Sequence, residues 1–426
     1  MANTEYDVIP MLHGDGVRIA NALEQMVSMK NRGYILYGFH LNNNESDPSE
    51  KITYLEDAVG AVPAYMDYTN GVFNYGSWKN AFFMPRPCMV KSNGIVDYYL
   101  NPDNPELKED GTASDIANVN YDGNAMMEWG QNGKKIWMKI VPDSTGASVY
   151  ISDTQVDSLF HDYAFINKNN VHMDHFYTPA YNGSKDSNGK MRSLSGQAIS
   201  FSLSGSAEVA ACTANGDGWY IENITDRMLI NMLLILMGKS TNTQKVFGEG
   251  LTSGGESAMK AYVTGSLNNK GLFYGYNNTT NAVKVFGMEN YWGCQWRRTA
   301  GLIQKGGKAY YKLTRGTADG TTATDYNSDG TGYIEHAGAL DSAGGGSYIS
   351  TVAFDSNVMI PSAVGASANT HMCDAYWVNT GATTYALYGG YSDSGSLCGA
   401  FCVDLYDVFG DAYWRFGCAP SYKPLA

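Results

Sequence analysis

The sequence predicts an α+β protein in which strand and turn dominate and helix is confined to a few segments. Three observations carry this reading. One segment near the amino terminus and one internal segment place apolar residues at helical spacing. Much of the remaining chain breaks into short apolar patches separated by Asn, Gly, Pro and Asp. Tyr, Trp and Phe recur through the second half, where they suit pleated, half-buried surfaces. With 426 residues, 44% hydrophobic and 17% charged, the chain has enough apolar material for a sizeable core. Domains of about 100–200 residues would make that two or three units.

Taken in order, Asp15 to Met29 (DGVRIANALEQMVSM) places Val17, Ala20, Leu23, Met26 and Val27 on one helical face. One amphipathic helix cannot bury such a stripe alone. Residues 1–33 are therefore expected to form a helical attachment or oligomerisation segment, packed on the body or on its copies in neighbouring chains. Tyr34 to Leu41 reads as a strand, closed by the turn cluster Asn42 to Pro48. Short patches from Ile52 to Trp129 make residues 34–133 a loop-rich β region. A composition shift follows. Lys134–Val141 and Ser148–Ile151 look like strands and open a domain spanning 134–426. Asp226 to Lys239 is the strong internal helix, with Asp226 near its start and Gly238 near its end. Beyond Phe247 almost everything reads as strand, turn and glycine, and Gly344-Gly345-Gly346 marks a loop.

Several function classes are excluded early. A net charge of −13 with no basic cluster argues against a nucleic-acid partner, because phosphate contacts need grouped Lys and Arg. The amino terminus lacks the charged and apolar regions of a Sec-type signal. The longest apolar run, Leu229 to Met237, is interrupted by Asn231 and is about half a membrane span, so no membrane insertion is expected. Seven cysteines without a CxxC pair read as free thiols of a chain made in a reducing cytoplasm.

Motifs for chemistry are incomplete. Gly238-Lys239-Ser240 ends like a phosphate-binding loop, but Leu233 stands where that loop needs glycine. Asp325 to Gly330 matches the first half of an EF-hand loop, yet Glu335 sits one place too early and His336 takes the position of the bidentate acid. His161, His172 and His175, with Asp162 and Asp174, have no recognised metal-pair spacing. Cys398 and Cys402 would share one face of a strand, and no sequence-adjacent His, Lys or Arg lowers their pKa. No GxSxG elbow occurs. The expectation is a protein without catalytic residues, metal ligands or cofactors.

The carboxy-terminal stretch departs from the rest of the chain. Lys, Glu, Gln, Met and Trp, together roughly 16% of the sequence, are absent from Val378 to Tyr413, where about six would be expected. None of these five residues has a codon ending in a pyrimidine. The stretch is rich in Tyr, Ser, Asp and Gly, as binding loops are. Tyrosine gives stiff amphipathic contact area, and the small residues give adaptable hydrogen bonds. Tyr388, Tyr391, Ser392, Asp393, Ser396 and Leu397, then Tyr406, Asp407, Val408, Phe409, Asp411 and Tyr413, are the candidate ligand-binding residues.

Val285-Phe286-Gly287-Met288-Glu289-Asn290-Tyr291-Trp292-Gly293-Cys294-Gln295-Trp296-Arg297-Arg298 resembles the GxENxWGNxWxW core of C-type-lectin-fold proteins related to the formylglycine-generating enzymes. Cys294 stands where that family often has Asn. Ala386 to Gly390, Cys398 to Phe401 and Trp414 to Gly417 look like the frame of variable proteins diversified by retroelements, which mutate template adenines and turn AAY codons into NNY codons. Upstream, Asn43 to Pro48, Ile52 to Leu55, Asp67 to Gly71 and Arg192 to Gly196 look like tail-fibre and tail-tip proteins of phages and prophages in gut bacteria.

This resemblance implies a C-type-lectin-like domain over 134–426 with a variable surface at about 376–416. It implies a virion protein, synthesised in the bacterial cytoplasm, that binds a host cell-surface protein or glycan and joins other phage tail proteins. Trimeric relatives imply a homotrimer. Two other functions remain open: a formylglycine-generating-enzyme-like oxidoreductase using Cys398, Cys402 or Cys294, and a purely structural baseplate component.

Overall fold

The fifteen residues Ile224–Gly238 form a helix buried on every side, in an apolar cluster that draws residues from three large sheets. The computed structural model describes residues 32–313 and 330–425. The segment 15–29 and residues 325–329 of the half EF-hand motif lie outside the described residues. The helix begins two residues before Asp226 because Asn223 is its cap, accepting from Thr225 N at 2.9 Å, while Asp226 occupies the first turn. It ends at Lys239, whose φ of +47° breaks the repeat while its N–H still reaches Ile235 O. Gly238-Lys239-Ser240 is thus a helix exit.

The first sheet runs Ile52–Glu56, Leu36–Asn42, Gly146–Ser152, Trp137–Pro142, all antiparallel. Phe39, Leu41, Val149 and Ile151 turn their side chains into the core. The second sheet has six strands in the order Trp219–Ile221, Pro420–Tyr422, Phe176–Pro179, Gly123–Trp129, Arg86–Lys91, Val96–Tyr99. Its central strand, Gly123–Trp129, is buried along its whole length. Strands from both sides of residue 133 share both sheets.

The third sheet is mixed. It runs Ile334–Ala339, Lys308–Tyr311, Trp296–Lys305, Thr384–Tyr388, Val403–Leu405, Ala375–Val378, Gly345–Asp355, Val358–Val364, and Phe416–Gly417 pairs in parallel with Trp296–Arg297. Gly345 and Gly346 belong to the eleven-residue strand Gly345–Asp355, so the glycine run opens a strand where the sequence suggested a loop. Helices Gly205–Thr213, Thr243–Phe247 and Gly255–Ala261 complete the α+β architecture.

Buried charged side chains tie the layers together. Arg298 Nε donates to Glu208 Oε2 at 2.5 Å with both side chains fully buried, joining the third sheet to helix Gly205–Thr213. Burial raises the Glu208 carboxyl, and Arg298 only partly offsets this. Glu289 is also buried. It accepts from Gly265 N at 2.8 Å, Leu267 N at 2.9 Å and the Tyr262 hydroxyl. Removing one partner of such a pair strands the other charge. Arg298→Met should therefore cost about 3–5 kcal/mol in urea unfolding, and adding Glu208→Leu should restore much of that loss.

Candidate functional site

The loops of the stretch 378–413 stand on a frame built by the buried helix and the segment Tyr291–Trp296. Asn231 Nδ2 donates to Ala400 O at 2.9 Å, and Arg227 Nη2 donates to Ala400 O and Tyr291 O, each at 3.2 Å. Asp374, fully buried, accepts from Phe401 N at 2.7 Å, and burial pushes its carboxyl well above the usual range. Gly399 lies so close to this carboxylate that a Cβ there would sit 2.1 Å from Asp374 Oδ1. Gly390 has φ +77°, and a Cβ on it would meet Cys398 Sγ at 2.3 Å.

The first loop is held along its length. Gly293 N donates to Gly389 O at 3.0 Å, Ser392 N to Cys294 O at 3.2 Å and Gly395 N to Thr252 O at 2.9 Å. Ser392 Oγ donates to Gly255 O at 2.7 Å. The second loop is fixed by its own backbone. Gly205 N donates to Phe409 O at 2.9 Å, Tyr385 N to Asp407 O at 3.1 Å, and Val408 N to Asp411 Oδ2 at 2.9 Å.

The candidate residues separate into frame and face. Tyr388, Ser392 and Asp407 are buried, so they support the loops and cannot be surface contacts. Tyr388 lies 5.1 Å from the Arg227 guanidinium, and Ser392 spends its hydroxyl on a carbonyl. Phe409, half-buried, packs 5.0 Å from the Tyr385 ring and against Gly205. Asp411 is likewise half-buried, its carboxylate turned back on Val408 N. Tyr406 (52% exposed), Val408 (36%) and Tyr413 (44%) face solvent, as do Asp393 and Ser396. Tyr391 and Leu397 are half-buried. Ser396 Oγ meets the Tyr348 hydroxyl at 2.7 Å.

Residues not singled out by composition complete the face. Trp377 and Trp414 flank the stretch in sequence, immediately before Val378 and after Tyr413. In space they meet through two rings: Trp377 on Trp296 at 5.4 Å, Trp296 on Tyr391 at 6.3 Å, and Tyr391 on Trp414 at 5.5 Å. Arg415 lies 4.4 Å over the Tyr413 ring and pairs with Asp407 at 3.5 Å. Beneath them Asp404 accepts from Tyr406 N at 2.6 Å. Burial first, and then Asp407 beside it, push the Asp404 carboxyl up to about 7. Burial raises Asp407 as well, against the pull of Arg415. The result is an amphipathic surface of Tyr, Trp, Val and Arg over buried carboxylates, suited to non-covalent contact.

The other sequence candidates have structural roles. Cys398 and Cys402 do not share a strand face. They bracket the turn before Val403–Leu405, in separate apolar clusters. Burial pushes the thiols of Cys294, Cys398 and Cys402 well above their ordinary range, the opposite of an activated nucleophile. His172 Nδ1 pairs with Asp162 at 2.8 Å, and His161 stacks on Tyr163 at 4.6 Å. Among the described residues, no three His, Cys, Asp or Glu side chains gather as a metal site. No helix among them is long and apolar enough to cross a membrane. No protein-family model matches the chain, and no curated protein matches its sequence.

Asp404 gives a pH signature. An ordinary carboxyl near 3.8 in the unfolded chain and about 7 in the fold means that the native state keeps a proton the unfolded state loses between those values. Stability therefore falls as pH rises from about 4 to 7. Thermal melts of Asp404→Asn across that window should show a flatter decline than those of the parent chain.

Proposed function

We propose that this chain is a receptor-binding protein of a phage or prophage tail. It adheres non-covalently to a host cell-surface protein or glycan through the Tyr391, Tyr406, Val408, Tyr413 and Trp414 face. Its carboxy-terminal part is a C-type-lectin-like fold with loops diversified at NNY codons, and it acts in the virion beside other tail proteins. The observation that carries this reading is the concentration of exposed apolar side chains. Tyr406, Val408 and Tyr413 lie within one short loop on a frame of buried hydrogen bonds, while most other exposed large apolar residues are scattered singly. Stiff aromatics on a fixed base lose little entropy on binding. The bracketing of the pyrimidine-codon stretch by Trp377 and Trp414 supports the same division, with fixed residues beneath and exchangeable ones above.

Each loop offers a small contact area, so useful attachment calls for several copies. A homotrimer organised by residues 1–33 would supply it as effective concentration. The raised thiol pKa values favour binding over an oxidoreductase using these cysteines.

The test is binding of labelled protein to a panel of intact gut bacteria. Tyr406→Ala with Tyr413→Ala should abolish strain-selective binding and change unfolding free energy by no more than about 1 kcal/mol. Tyr388→Ala should instead destabilise the fold by about 3–5 kcal/mol, as for other large aromatic side chains deleted from a core. Undiminished binding by the Tyr406/Tyr413 variant, or its failure to fold, would sink the assignment of this face.

A further inference from the structure

Cys212 Sγ and Cys418 Sγ lie 3.7 Å apart. Both are buried, at 0% and 3% exposure, in an apolar cluster with Met191, Val209, Ile221 and Ala300. Cys212 is in the last turn of helix Gly205–Thr213. Cys418 lies on the short passage between Phe416–Gly417 in the third sheet and Pro420–Tyr422 in the second. Both are free thiols. A disulfide requires an S–S distance of about 2.05 Å, so the sulfurs need to close by roughly 1.7 Å.

We propose that Cys212 and Cys418 form an intramolecular disulfide site, oxidised by thiol–disulfide exchange with a small disulfide such as oxidised glutathione after the chain leaves a reducing compartment. One cysteine loses its proton and its thiolate attacks the oxidant's S–S bond. One glutathione thiolate departs, leaving a mixed disulfide. The second cysteine thiolate then displaces the other glutathione. The two cysteines give up two protons and two electrons, and one oxidised glutathione becomes two reduced molecules.

Burial makes the closed pair slow to react, because the Cys418 thiolate is disfavoured by desolvation and then by Cys212 beside it. Exchange therefore proceeds when the structure around the pair opens. It accelerates in urea below the unfolding transition and at higher pH. The bond would join residues 206 positions apart, and it would tie the passage after Phe416 to the helix whose first turn receives the Phe409 carbonyl. Closing so long a loop restricts the unfolded chain, and Tm should rise by about 5–10 °C. None of this depends on what the exposed loops bind.

The experiment incubates the reduced full chain with oxidised glutathione, in native buffer and in sub-denaturing urea. The product is then denatured, alkylated and mapped without reduction. The proposal expects alkylatable thiols to fall from seven to five as two are consumed, with a Cys212–Cys418 linked peptide and a higher Tm. Cys212→Ser should block the linkage, and the wild-type map stands by itself if that variant folds poorly. Seven alkylatable thiols after treatment, a bond joining other cysteines, or arrest at a glutathione adduct would each overturn it.

Discussion

A guanidinium taken wholly out of water has to be solvated by the protein itself, and Arg227 is such a group. Its partners come from separate parts of the chain: Glu222 at 3.5 Å, the carbonyls of Tyr291 and Ala400 at 3.2 Å each, and the Tyr291 ring at 3.8 Å. Asn231, one turn along the same helix, adds Ala400 O and receives the Tyr291 hydroxyl at 3.0 Å. The Arg227 contacts stand in for water around the buried charge. The positions of the Tyr291–Trp296 segment and of the turn at Ala400 follow from the helix. The loops above inherit their place from those two.

That arrangement would let one stretch keep a fixed path while its exposed side chains change. Its hydrogen bonds to the frame are largely made by backbone atoms: Gly389 O, Ser392 N, Gly395 N, Asp407 O and Phe409 O. Backbone contacts survive a change of side chain. Tyr406, Val408 and Tyr413 can therefore vary while the loop path persists, whereas Gly390 and Gly399 cannot, because their missing Cβ atoms make room for Cys398 and Asp374. Arg415 spans the two classes, pairing with buried Asp407 and covering exposed Tyr413.

The helix core was legible through its long apolar run, interrupted only by Asn231, but its first turn was not, because Asn223 rather than Asp226 takes the cap. Helix Gly205–Thr213 escaped notice because its small residues (GSAEVAACT) trace no apolar stripe. Sheet order was not legible. Nothing local in Pro420–Tyr422 shows that it lies between Phe176–Pro179 and Trp219–Ile221. At the site, composition located the stretch but could not separate face from frame. Ser392 and Asp407 are residue types that serve a loop's internal bonds as readily as an external contact. Trp414 belongs to a frame motif the sequence showed; the further signal was Trp377 at the other limit. Trp377 and Trp414 are 37 positions apart in sequence, yet they meet through Trp296 and Tyr391.

The central claim is that specificity resides in exchangeable side chains on a fixed frame. Its most direct test is to randomise Tyr391, Ser396, Tyr406, Val408 and Tyr413 together with NNY codons, and to select the folded library on two bacterial strains, one bound by the parent and one not. The account predicts recovery of well-folded members whose strain preference has moved to the second strain. If every folded member keeps the parent's preference, the determinant lies elsewhere on the molecule and the claim fails.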